Sequence, residues 1–138
     1  MMPADFAPAL LATLFPGKGE WPSADRTGAP ARFAERAAAS PPLAQAVEAI
    51  RSHLPADFAS RDAAGRTTAL QGAEAVAPAA FALVFAEATG FYYTEPLVQK
   101  VNEGKTGFPA RPPQPQGIPL EPFDYSILDK RKIKVLGE

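Results

Sequence analysis

The sequence predicts an all-α fold: a small irregular helical domain of about five helices, followed by an extended proline-rich C-terminal tail. Three observations predict it. Alanine, which has the highest helix propensity, makes up about a fifth of the 138 residues. Valine and isoleucine are sparse, and no segment alternates apolar and polar residues over a strand's length. Apolar residues instead recur at helical spacing between proline and glycine breaks. The composition, 46% apolar and 21% charged, is that of a chain that folds. Residues 1–103 are expected to form the helical domain and residues 104–138 the tail, docked on its own or a partner's surface.

The first helix is predicted from Pro3 to Phe15. Phe6, Leu10 and Leu14 share one face, with Ala7 and Leu11 beside them. Pro16-Gly17-Lys18-Gly19 ends it, and the turn-prone Trp21-Pro22-Ser23 comes next. The second helix is predicted over Gly28–Ala39, with Thr27 as N-cap. Phe33 is its only large apolar residue, so it should lie on the outside. The third opens at Ser40-Pro41-Pro42, a cap followed by prolines suited to a first turn. Leu43, Val47, Ile50 and Leu54 form its stripe, and Pro55 ends it. The fourth is predicted over Ser60–Ala75, with Leu70 as its only large apolar residue. The fifth runs from Pro78 to Thr89 or just beyond. Phe81, Val84, Phe85 and Ala88 give it an i, i+3, i+4, i+7 core stripe, and Gly90 fits the C-cap position.

Beyond Gly104, the prolines at 109, 112, 113, 115, 119 and 122 exclude helix and central strand. An extended, polyproline-like segment is expected there. Phe108, Ile118, Leu120, Phe123, Tyr125, Ile127 and Leu128 punctuate it, which suits a segment lying against a surface.

Little in the chain suggests catalysis. With no cysteine, disulfides, thiolate zinc sites, iron–sulfur clusters and a cysteine nucleophile are excluded. The single histidine, His53, leaves no His-pair metal site. As a general base it would need a nucleophile and an orienting group; a helix-end histidine favoured by the dipole is the simpler reading. Glu74, Glu87, Glu95 and Glu103 carry no E-x-x-H pairing. Gly17-Lys18-Gly19 lacks the frame of a phosphate loop. The cluster Lys130-Arg131-Lys132-Ile133-Lys134 reads as a solvated end. A net charge of −1 and a pI near 5.9 provide no basic field for nucleic acid. No run approaches the ~20 apolar residues of a membrane span, so no membrane insertion is expected.

Gly90-Phe91-Tyr92-Tyr93-Thr94-Glu95-Pro96 stands apart, because three consecutive aromatics cannot all enter one small core. Tyrosine suits interfaces, where its ring packs and its hydroxyl stays wet. Thr94-Glu95-Pro96 also has the form of a fresh helix start.

Three stretches together resemble the gluconate 2-dehydrogenase small-subunit (subunit 3) family. They are Leu14-Phe15-Pro16-Gly17 with Trp21-Pro22-Ser23-Ala24 and Gly28; Leu70-Gln71-Gly72-Ala73-Glu74 leading into Phe81-Ala82-Leu83-Val84; and Gly90-Phe91-Tyr92-Tyr93-Thr94-Glu95-Pro96-Leu97-Val98. The resemblance covers residues 10–103 in matching order. It implies a non-catalytic helical subunit that binds and stabilises a large flavoprotein dehydrogenase of the glucose–methanol–choline class, which oxidises sugars, glycosides or alcohols. FAD would belong to that partner and no cofactor to this chain; a cytochrome subunit would receive the electrons. On this reading Trp21, Tyr92, Tyr93, Phe108, Ile118, Leu120, Phe123 and Tyr125 line the partner surface, with Trp21 either there or closing the core. No basic stretch or Arg-Arg lies near the start, so the residues point to a cytoplasmic heterodimer. A periplasmic location follows if a twin-arginine leader was removed or the partner carries one. Two other readings stand beside this one: a stand-alone helical adaptor presenting Pro112-Pro113-Gln114-Pro115 as a polyproline ligand, and a small enzyme using His53.

Overall fold

Proline and small polar caps set where the helices begin. The computed structural model describes residues 2–107, and within them six α-helices succeed one another. They are α1 (Phe6–Leu14), α2 (Ala29–Ala39), α3 (Pro41–Arg51), α4 (Ala63–Val76), α5 (Pro78–Tyr93) and α6 (Pro96–Thr106). Short 3-10 turns at Ala24–Arg26 and Phe58–Ser60 connect α1 to α2 and α3 to α4. The fold is all-α, and the described residues contain no strand, only an isolated bridge between Lys18 and Trp21.

Helices α2, α3, α5 and α6 carry proline in their first two positions, where its missing N–H leaves no helical bond unmade. Ser40 caps α3 as expected, its Oγ accepting from the Leu43 N–H at 3.5 Å. Thr27 Oγ1 accepts from the Ala29 N–H at 3.1 Å, although Gly28 occupies the cap position itself. The start of α4 differs from the sequence expectation. Asp62 rather than Ser60 opens it, with its carboxylate accepting from the Gly65 N–H at 2.7 Å. Ser60 closes the preceding 3-10 turn instead.

The core is built mainly from α1, α2, α3 and α5, with Leu70 and Ala73 of α4 and Val98 of α6 completing it. Leu10, Leu11, Phe33, Leu43, Ile50, Val84 and Val98 are fully buried. Helix α3 keeps its stripe to Ile50 but ends at Arg51, so Leu54 falls in the following turn, half-buried. Helix α2 is not an outer helix. Phe33 is wholly buried, and α2 packs against α1, α3 and α5. Its buried alanines, Ala29 and Ala37, allow that close approach.

Two further expectations are corrected. Gly90 does not end α5: the helix continues to Tyr93, and Gly90 lies in it with ordinary helical backbone. The turn after Gly90 carries Phe91 and Tyr92, whose packing outweighs the roughly 0.5–1 kcal/mol that an interior glycine costs. The sixth helix carries the chain past residue 103, so residues 104–106 are helical rather than extended. Gly107, at φ +74°, supplies the left-handed turn that closes α6. Phe108, Ile118, Leu120, Phe123 and Tyr125 lie outside the described residues.

Candidate docking face

One corner of the molecule gathers most of the aromatic side chains among the described residues. Phe15 comes directly after the last residue of α1, and its N–H is held by the Leu11 carbonyl at 2.8 Å. Its ring stacks on Tyr92 with centroids 4.5 Å apart and planes 5° from parallel. It also faces Phe85 at 5.9 Å and meets Tyr93 edge-on at 6.1 Å. Phe81 stacks on Phe85 at 6.1 Å, one turn earlier in α5. Trp21 closes the other end, edge-on to Tyr93 at 6.4 Å. The rings of Phe81, Phe85, Phe15, Tyr93 and Trp21 thus succeed one another at intervals near 6 Å.

The loop 16–23 holds this corner in place. Gly17 and Gly19 take φ values of +80° and +60°, which turn the chain back on itself. Lys18 and Trp21 exchange N–H···O bonds of 3.1 Å, and the Ala24 N–H returns to the Phe15 carbonyl at 2.9 Å. A Cβ on Gly17 would sit 2.6 Å from Ser23 N and 2.7 Å from Trp21 O, so only glycine fits that crossing. The Tyr92 hydroxyl then donates to the Pro22 carbonyl at 2.7 Å, joining loop to helix. Burial pushes the Tyr92 phenol above its ordinary value of 10.0, and the neighbouring Tyr93 phenol pushes the same way.

A second tie lies nearby. Glu95 is 6% exposed and accepts from Arg32 Nη1 at 3.1 Å. Its carboxylate also lies against Gly28 at the start of α2, where a Cβ would be 3.3 Å from Oε1. A carboxylate at a helix N-terminus is favoured by the dipole. Arg32 in turn lies over the Phe91 ring at 5.1 Å. The Trp21-Pro22…Gly28 stretch and the Phe91–Glu95 stretch are therefore brought together in space.

The expected partner residues divide. Tyr93 is 50% exposed. Trp21 is half-buried at the rim, where it packs against the edge of the core. Tyr92 is corrected: at 3% exposure, stacked on Phe15 and bonded to Pro22, its ring offers a partner almost nothing. Phe85, expected in the core, is 42% exposed, and Phe81 is half-buried. Both belong to the face, as does half-buried Phe15, which no sequence pattern singles out. The available signal was the run Phe81-Ala82-Leu83-Val84-Phe85, which is apolar on more sides than one core can cover.

His53 is exposed in the turn after α3. The hollow at that end is lined by its neighbours Ser52 and Leu54 with Glu48 and Arg51, which pair at 2.5 Å, and not by the imidazole. Among the described residues, no three His, Asp or Glu side chains form a metal-ligand group. No helix among them is long and apolar enough to cross a membrane. Comparison with known proteins matched no family model, no curated protein and no solved structure.

Proposed function

We propose that this chain is a non-catalytic docking subunit, which binds and stabilises a larger protein through its aromatic face. The observation that carries this reading is the exposed side of that face, Phe85 and Tyr93 beside the stack of buried Tyr92 on half-buried Phe15. Apolar rings left in water form the kind of patch that marks an interaction surface. They are also backed by a rigid, bonded layer, so little ordering entropy remains to be lost on binding. Tyr and Trp are the residue types that dominate binding energy at such surfaces.

The partner class rests on the sequence resemblance: a large flavin dehydrogenase of the glucose–methanol–choline class that holds the FAD and performs the chemistry. The proposed assembly is a cytoplasmic heterodimer, with the proline-rich tail adding contacts beside the face. The test is co-expression of the two chains, followed by size-exclusion chromatography monitored at flavin wavelengths. The wild-type chain should co-elute with the flavin absorbance. The double variant Phe85→Ser, Tyr93→Ser should lose at least about 4 kcal/mol, or roughly a thousandfold in affinity, if both residues are hot spots. Undiminished co-elution of that variant at micromolar concentration would remove the face from the interface.

A further inference from the structure

The end of α6 brings a ligand of fitting chemistry to the aromatic face. Helix α6 stops at Thr106, and Gly107 turns the chain away from the helix axis. Lys105 Nζ lies 3.5 Å from Glu20 Oε2, which places this exit beside the Lys18–Trp21 turn. The chain therefore leaves the described domain at the Trp21 end of the row of rings. Residues 108–120, the next stretch of sequence, read Phe-Pro-Ala-Arg-Pro-Pro-Gln-Pro-Gln-Gly-Ile-Pro-Leu.

Proline-rich segments are bound by rows of aromatic side chains, because the polyproline helix is preformed and lays its rings on aromatic faces at small entropic cost. The dimensions agree. Phe81 to Tyr93 covers twelve residues of α5, about 18 Å at 1.5 Å per residue. Trp21 extends the row by one more ring, 6.4 Å on. A polyproline helix rising about 3.1 Å per residue spans that length in about eight residues. The stretch from Pro109 to Pro119 is long enough, with residues to spare for the turn after Gly107.

The geometry points to an intramolecular ligand: the proline-rich segment 109–119 of this chain occupies the Phe81–Phe85–Phe15–Tyr93–Trp21 face when no partner is bound. This docking is a property of the chain by itself and does not depend on the identity of any partner. It adds a competitor to the docking face, since a partner must displace the segment to reach the rings.

Trp21 is the only tryptophan and reports on the face directly. The experiment uses the full-length chain and measures acrylamide quenching of Trp21 fluorescence. Replacing Pro112, Pro113 and Pro115 together by Ser should release the segment and raise the quenching constant about twofold, as a mostly closed population opens. A synthetic peptide of residues 108–120, added to that variant at millimolar concentration, should restore the protection and leave the wild type unchanged. Phe85→Ser, Tyr93→Ser should raise quenching in the same way; should that variant misfold, the proline variant decides alone, its changes lying outside residues 2–107. Unchanged quenching in the proline variant would overturn the inference. So would a wild-type chain that elutes as a dimer and becomes monomeric on the proline substitutions, because the segment would then lie on a second copy.

Discussion

Replacing Gly17 by Ala tests whether the loop 16–23 is seated against α5 as described, and Gly19 supplies a matched control. Both glycines have positive φ, +80° and +60°. Both substitutions therefore incur the left-handed penalty of an L-residue, about 1–2 kcal/mol. They differ in surroundings. A Cβ on Gly19 meets nothing within 4 Å, whereas one on Gly17 meets Ser23 N, Trp21 O and Pro22 C at 2.6–2.8 Å. These are backbone atoms, held by the Lys18–Trp21 bridge and the Tyr92–Pro22 bond, and cannot rotate away. Forcing such an overlap adds about 1–3 kcal/mol. Gly17→Ala should thus be about 2 kcal/mol more destabilising than Gly19→Ala. In urea unfolding monitored by Trp21 fluorescence and far-UV circular dichroism, that difference lowers the midpoint by about 1 M more, taking about 2 kcal/mol per molar as the slope. Because relief of the overlap moves Pro22, adding Tyr92→Phe to Gly17→Ala should cost less than it does alone. Equal midpoints for the two alanine variants would refute the crossing at Gly17 and the anchoring of Trp21 built on it.

The same corner and its neighbours set the remaining expectations. Tyr92→Phe keeps the stack on Phe15 but strands the Pro22 carbonyl, and should cost about 1–2 kcal/mol in urea unfolding. Raising the pH should destabilise the wild type more than this variant. The folded phenol holds its proton more tightly than the unfolded one, so the stabilisation is whole below 10.0 and lost as pH climbs through the raised value; urea midpoints at about pH 8 and 11 check it. Glu95→Ala should cost about 1–3 kcal/mol by removing the Arg32 bond and the carboxylate at the start of α2, while Glu95→Gln should cost less, as urea midpoints would show. Gly90→Ala should raise stability by about 0.5–1 kcal/mol in thermal unfolding, since Gly90 lies open within α5. A glycine at a left-handed helix end would give the opposite sign.

The helix starts were legible because they depend on local chemistry. Ser40-Pro41-Pro42 states its role in three residues, and the Leu43, Val47 and Ile50 stripe is buried as its spacing requires. Where tertiary packing sets the outcome, local reading failed. Gly90 has the right composition for a helix end, yet the stacking of Tyr92 on Phe15 carries α5 one turn further. Phe33 is a single aromatic on an alanine-rich helix, and that scarcity suggested an outer position. In the fold, the alanines around it bring three neighbours close enough to enclose it. The aromatic face was half legible. The aromatic triplet marked the place, but which ring would be buried depended on Pro22, seventy residues earlier in the chain. The start of α4 was placed two to three residues early, because the 3-10 turn at Phe58–Ser60, which precedes the Asp62 cap, leaves no periodic signal in the sequence.

The two proposals for the aromatic face impose a quantitative relation on each other. A segment joined to its site by a short connection experiences an effective concentration of about 1 mM. If its intrinsic dissociation constant is about 100 μM, it is docked about ten times more often than not, and a partner's apparent affinity falls by the same factor, about 1.4 kcal/mol. A partner that also gathers the released tail would regain that loss through Phe108, Ile118 and Leu120, the large apolar residues of that stretch. A partner that contacts the rings alone does not. The proline substitutions should therefore strengthen binding about tenfold if the rings are the whole interface, and weaken it if the tail contributes more than its displacement costs. The sign of that change, read from one titration against the proposed partner, separates a subunit that presents a face from one that wraps its partner.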